Sequence, residues 1–321
     1  MELSRLAAGP EFDLIRAFAA QARHAHPLVR MGPGDDCAIV GELAISIDAS
    51  VEDVHFRRAW LSPEEIGWRA AAAALSDLAA VAAEPVGVLI TLVLPQADRG
   101  DFVQSVMRGA IAAAESVGAM LLGGDTTASA VFMLDVVAVG RAPDPVLRSG
   151  ARPGDEVWVT GTLGGAAAAV NAWERSQQPN AAARARYARV SPRIQAARWL
   201  HEHAAPTAMI DISDGLYGDV AHIATASGCR IVVDADAIPV DRAAGATFEQ
   251  AVAGGEDYEL CFTAAPGAVH QLRARFEAEL GLALTRVGSA AAGAGVLERA
   301  RDGSTRAVEH AGYQHFKDEL R

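Results

Sequence analysis

The stretch Ala208-Met209-Ile210-Asp211-Ile212-Ser213-Asp214-Gly215 decides how the chain is read. A short apolar run, suited to a buried strand, breaks into small residues, two aspartates and a glycine. A helix is expected from there to about Ser227. A strand that ends in such a turn before a helix belongs to an α/β sheet, and such sheets bind ligand beyond the carboxyl ends of their strands.

Working outward, the same pattern recurs. GDD (34–36), SID (46–48), LSD (75–77), GGD (123–125) and GGED (254–257) set acidic residues near small ones, and almost every one stands at the end of an apolar run. A carboxylate at such a place is costly to bury without a cation. Several converging on one site repel each other, and hard divalent cations are the usual remedy. Carboxylates together with glycine-exposed backbone point to Mg²⁺ and phosphate, hence to phosphoryl transfer.

At 321 residues the chain is long for one core, so two domains are expected. The net charge of −12 argues against nucleic acid or an anionic membrane as main partner. Anionic small substrates stay allowed, because a bound metal inverts the local field. Lys317 is the sole lysine, so there is no Gly-Lys-Ser/Thr phosphate loop. Metal, arginine and backbone amides would have to hold a nucleotide's phosphates. Cys37, Cys229 and Cys261 lack paired spacing and read as buried free thiols in a reducing compartment. The first residues lack the apolar segment of a signal peptide, and the apolar stretch 86–94 is strand-sized. KDEL (317–320) is followed by Arg321 and so is not a terminal retention signal. The expected location is the cytoplasm.

Helices are expected over 11–22, from a Ser62 cap with Pro63 and two glutamates to about 82, and over 98–117. Strands are expected at 38–40, 43–47, 86–94, 120–122 and 131–140, with GGDTT as a loop between the last two. The proline- and arginine-rich segment 141–155 reads as the domain joint. The second half restarts with a strand at 156–160 and a GTLGG turn. It continues with a helix opened by Ser191-Pro192, strands at 208–210, 230–233 and 260–263, helices over 247–252 and 266–280, and terminal strands. Residues 177–186 read as a solvated connector. Both halves therefore mix strands and helices, and a site fed by both is the economical arrangement.

GDDCA (34–38), LSDLAA (75–80), GGDTT (123–127), RSGARPGD (148–155), DISDGL (211–216) and GGEDYEL (254–260), in this order and spacing, closely resemble the thiamine-monophosphate kinase family. Its superfamily includes aminoimidazole ribonucleotide synthetase, selenophosphate synthetase and the hydrogenase maturation factor HypE. The resemblance spans about residues 11–316. It implies a two-domain, PurM-like α/β fold with mixed sheets. Residues 1–145 would form an ATP- and Mg²⁺-binding domain whose sheet makes a homodimer interface, and 146–321 a C-terminal α/β domain completing the site. The implied activity is ATP-dependent phosphorylation of thiamine monophosphate to thiamine diphosphate, with ADP released, in thiamine diphosphate biosynthesis.

Carried over by the resemblance, Asp36, Asp48, Asp77, Asp125, Asp211 and Asp214 would ligate several Mg²⁺ ions, with further oxygens from Ser46 and Ile47. Gly124 and Asp125 would touch ATP, and Arg148 and Ser213 its phosphates. His55, Glu256 and Phe316 would line the thiamine pocket. The family often has Thr at Ile47, so a metal contact there is left to the backbone carbonyl. It also often has Asn at Ala74. Because the acceptor is an ionised phosphate, no acid–base residue is required, and transfer is expected in line between bound substrates. Asp35 reads equally as a turn residue, and Asp257 as a loop cap beside the preferred Glu256. The alternatives are another ATP-using phosphoryl transferase or synthetase of the superfamily, or a non-catalytic nucleotide or thiamine sensor. No cysteine precedes Cys37 for selenophosphate chemistry, and the chain ends Asp-Glu-Leu-Arg where HypE expects cysteine. None of the metal aspartates a sensor would be expected to lose is missing.

Overall fold

A computed structural model describes residues 10–21, 25–308 and 312. After helix α1 (Pro10–Ala19) come strands β1 (Val29–Met31), β2 (Ala38–Val40) and β3 (Leu43–Val51). Helix α2 (Pro63–Ala80) starts as its sequence directs. Ser62 accepts from the Glu65 amide, Glu65 reaches back to the Ser62 amide, and Pro63 opens the first turn. Strand β4 (Glu84–Leu94), helix α3 (Asp101–Ser116) and strands β5 (Met120–Ala128) and β6 (Met133–Arg141) finish the first half.

These strands form one six-stranded sheet in the order β1-β2-β3-β6-β4-β5. Helices α2 and α3 cover one face, onto which Ser46, Ile90, Leu134 and Val136 turn. The opposite face carries exposed Ile47, Val86 and Leu89. Strand β5 is exposed along its whole length. The expected GGDTT loop is therefore strand, paired in parallel with β4. Glycine there answers a close approach and not a turn: a Cβ on Gly124 would lie 1.9 Å from the Ile90 carbonyl oxygen.

The second half holds β7 (Glu156–Thr160), α4 (Gly165–Glu174), α5 (Ala181–Ala188), α6 (Ile194–His203), β8 (Ala208–Asp211) and α7 (Leu216–Ser227). It continues through β9 (Arg230–Asp234), α8 (Phe248–Ala253), β10 (Leu260–Ala264), α9 (Arg273–Leu280), β11 (Leu284–Ala291), β12 (Gly295–Arg299) and β13 (Thr305–Ala307). Its seven strands run β13-β12-β9-β11-β7-β10-β8.

Three readings need correction. Residues 177–186 are not merely a solvated connector, because Asn180 caps α5 and Arg184 from that helix pairs with Glu65 at 2.6 Å. Helix α6 opens at Ile194, and Ser191-Pro192 lies before it, because Arg193 turns to Glu259 at 2.5 Å. Helix α9 is shorter than expected, with turns before Arg273. Cys37, Cys229 and Cys261 are buried and free. Among the described residues no helix is long and apolar enough to cross a membrane.

Helix α2 joins the halves. Most of it is buried, and it touches α5, α6 and β8 of the second half as well as its own sheet.

Candidate active site

The site grows from that central helix. Arg69, Ala73 and Asp77 recur at four-residue spacing and so share one face of α2. Ser76, beside Asp77, donates to Asp211 at the end of β8 at 2.5 Å. The LSD of the first half and the DIS of the second are thus hydrogen-bonded across the joint. On β3, Ser46 donates to Asp77. Ahead of β2, Asp36 takes both forks of Arg148, Nη2 at 2.5 Å and Nε at 3.1 Å. The Arg148 amide donates to Asp35 at 3.0 Å.

One oxygen each from Asp36, Asp77 and Asp211 lies within 4.8 Å of the others. Burial first, then the neighbouring Asp211, Asp36 and Asp48, pushes the Asp77 carboxyl well above the usual range. Burial and Asp36 push Asp211 up to about 7, and the same two causes push Asp35 to about 7. Burial works against the Arg148 charge, but Asp36 outweighs it and holds the guanidinium protonated. A single guanidinium thus faces a crowd of carboxylates. The remaining negative charge, presented by hard oxygens, suits a divalent cation.

A second group adjoins it, in which Asp214 was expected while Asp219 and His222 escaped the sequence reading. Ligand atoms of Asp214, Asp219 and His222 also lie within 4.8 Å of one another. Asp219 accepts from the amides of Asp214 and Gly215 at 3.2 and 3.1 Å, holding the DISDG turn at the start of α7. Burial and Arg148 lower His222 to about 3, so it is neutral. The available signal was the three-residue spacing of Asp219 and His222 on one helix face.

A cavity of about 1030 Å³ opens over these groups. Asp48, Asp77, Asp211, Ser213 and Asp214 line it, together with His55, Trp60, Tyr187 and Glu256. Glu256 pairs with the buried Arg69, whose guanidinium lies 3.9 Å from the Tyr187 ring centre. The Tyr187 hydroxyl donates to the His55 carbonyl at 2.8 Å. Trp60 stacks on Trp173 at 5.1 Å. Arg69, Trp60 and Tyr187 were missed by the sequence reading, although Arg69 stands two helical turns before Asp77 on the same face.

The structure does not bring every expected residue here. Asp48, Val136, Ile90 and Gly124 share one cross-strand row, which sets β5 three strands from β3, about 14 Å away. Asp125, one residue on, points to the opposite face from Asp48. Gly124 and Asp125 therefore stand apart from the carboxylate cluster of their own chain. The Ile47 side chain is exposed, leaving only its backbone near the cluster. Asp257 turns inward, away from Glu256, and accepts from the Gly164 amide at 2.6 Å. Phe316 lies outside the described residues.

Two mixed α/β halves meet over a carboxylate-floored cleft, and each half matches a domain of the AIR synthase related proteins. Residues 34–174 match the AIR synthase related protein, N-terminal domain, and 152–298 the corresponding C-terminal domain. The thiamine-monophosphate kinase of Salmonella typhimurium is 36% identical over 95% of this chain and 98% of its own. A crystal structure of thiamine-monophosphate kinase from Stenotrophomonas maltophilia is 33% identical, with a TM-score of 0.73 over 93% of this chain and 98% of that one. The structure of AaThiL complexed with AMPPCP and TMP is 30% identical, with a TM-score of 0.81 over 95% and 96%. The chain belongs to the thiamine-monophosphate kinase family.

Proposed function

We propose that this protein transfers the terminal phosphoryl group of ATP to thiamine monophosphate, giving thiamine diphosphate and ADP. The observation that carries this reading is the meeting of Asp36, Asp77 and Asp211, from motifs in both halves, beside a cavity with room for two substrates. The family's activity and the AaThiL complex with an ATP analogue and TMP support it.

The donor set fits Mg²⁺. It is all oxygen, it is crowded and largely buried, and Arg148 balances only part of its charge. Asp36, Asp77 and Asp211 would hold it, joined by Asp48, Asp214, the Ser46 hydroxyl and the Ile47 carbonyl. When bound, Mg²⁺ supplies positive charge where two anionic substrates meet. The chain's own contribution is alignment. Arg148, both of whose forks Asp36 holds in this structure, would turn to phosphate oxygens once a cation engages Asp36, and Ser213 lines the cavity. His55, Glu256, Trp60 and Tyr187 hold the acceptor's heteroaromatic end, and Phe316 joins them in this reading. The acceptor oxygen is already ionised, so no residue has a proton to remove. Alignment of this type can lower a barrier by roughly 7–11 kcal/mol.

The reading includes a homodimer. Strand β5 presents a long unpaired edge with exposed Met120, Leu121 and Leu122, and the open sheet face adds Val86 and Leu89. Surfaces of this kind call for a partner. A second copy would also explain Gly124 and Asp125, whose distance from the cluster in their own chain fits service to the neighbouring site. The reading divides the chain at 145/146, between β6 and β7, and places the protein in the cytoplasm, in keeping with its buried free thiols.

The test is turnover of purified protein with Mg·ATP and thiamine monophosphate. Thiamine diphosphate and ADP are expected in equal amounts. Binding of both substrates without product would turn the reading to a sensor, and binding of neither would remove it.

A further inference from the structure

The GGEDY segment (254–258) takes a backbone path that its side chains do not favour. Glu256 and Tyr258 have φ of 73° and 51°. Both lie in the left-handed region, where non-glycine residues are strained. Between them Asp257 is buried, its side chain 0% exposed. Its Oδ2 accepts from the Gly164 amide at 2.6 Å, at the entry to α4. Its Oδ1 is buried without a hydrogen-bond partner among the described residues, 4.0 Å from Arg186. Two strained residues and a half-satisfied buried carboxylate are poor choices for stability.

What the arrangement accomplishes is geometric. Helix α4 lays Ala167, Val170, Asn171 and Glu174 along the cavity, at the spacing of one helix face. The strained segment sends Glu256 and Tyr258 into the same cavity. The two walls touch: a Cβ on Gly254 would lie 2.4 Å from the Ala167 Cβ. The segment is tied on its other side as well. The amides of Glu256 and Tyr258 donate to the carbonyls of Ser213 and Ile212, both at 2.8 Å. Glu259, next along, is clamped by Arg186 and Arg193 at 3.0 and 2.5 Å.

We propose that Asp257 is a positioning residue: its grip on the start of α4 holds Glu256 and Tyr258 opposite Asn171 and Glu174, setting the width of the cavity there. Asp257 touches no substrate and acts through Glu256. Its role for the acceptor rests on reading this cavity as the thiamine monophosphate site.

The test is Asp257→Asn, which keeps an oxygen for the Gly164 amide and puts a neutral amide in place of a carboxyl that burial pushes up to about 7, 4.0 Å from Arg186. In the free protein, hydrogen exchange is expected to quicken together at the first turn of α4 and at 256–258. In turnover, KM for thiamine monophosphate is expected to rise about 10-fold or more, with kcat and KM for ATP within about twofold. In an Asp257→Asn, Glu256→Gln double variant, the acceptor KM is expected to match that of Glu256→Gln alone. Faster exchange at α4 alone with unchanged acceptor KM would make Asp257 a simple helix cap and overturn the proposal. So would additive effects in the double variant, or parallel losses in kcat and both KM values with a lowered Tm. A wild type that makes no thiamine diphosphate would instead remove the functional reading, while the joint exchange response still decides whether Asp257 ties the two walls.

Discussion

Two regions of this molecule use the same motif and put it to opposite structural use. In the cleft, Asp77 and Asp211 follow serine and isoleucine into a buried cluster, where burial and mutual repulsion raise both carboxyls. On β5, Asp125 follows two glycines onto an exposed edge strand and accepts from the adjacent Thr126 amide at 2.8 Å. An aspartate that ends or interrupts an apolar run thus stands out in the sequence, while sheet topology decides where the carboxylate goes. The buried set comes together within one chain, whereas the exposed one, in the proposed reading, serves a second copy.

The largest expected effect separates the two directly. Asp77→Asn or Asp211→Asn should lower kcat more than about 100-fold, beyond the loss typical of groups that only support metal ligands. The same variants should raise the Tm of the cation-free protein, because each removes a buried charge that its neighbours oppose. Asp125→Asn should also impair turnover, yet shift stability by less than about 0.5 kcal/mol, as expected for an exposed residue. A cation-free Tm that falls in the cleft variants would break the contrast.

Next in size is the open face of the first sheet. Leu89→Asp should leave the fold intact, as judged by circular dichroism, and shift the protein from dimer to monomer in sedimentation, with loss of turnover. An unchanged dimer would remove the apolar face as its interface.

Smaller again is the tie between the halves at Glu65. Its hydrogen bonds to Arg184 act first, and those from Ser62 assist, to hold the carboxyl at about 2, below the ordinary 4.5. A folded carboxyl that is depressed contributes stability above the unfolded value and loses it as pH falls through the folded one. The stability difference between wild type and Glu65→Gln, followed by urea unfolding, should therefore be full above pH 5 and shrink toward pH 2. The smallest effect is expected at the exposed Arg108–Glu64 pair, whose side chains are 62% and 50% exposed. Arg108→Ala should cost less than about 1 kcal/mol by the same assay.

Much of this was legible before the structure. Ser62-Pro63-Glu64-Glu65 and Thr247 start helices by local hydrogen bonds, and local rules read them well. DISDG and LSD were legible because isolated carboxylates beside small residues in apolar surroundings leave few explanations. GGDTT misled because glycine signals turns, and only the pairing of β5 with β4 shows why it is needed there. Residues 177–186 looked solvated because their polar side chains serve partners far along the chain, Glu65 and Glu259. Arg69, Trp60 and Tyr187 carry no local motif at all, and their meeting depends on how α2 packs against the second half.

The most direct measurement mixes two inactive variants, Asp77→Asn and Asp125→Asn, after dissociation and reassociation. If Asp125 serves the neighbouring copy, each mixed dimer has one site carrying both defects and one intact site. Random pairing then restores roughly a quarter of wild-type turnover. If Asp125 served its own chain, every site in the mixture would carry a defect. Turnover no higher than that of the separate variants would contradict the proposed shared site.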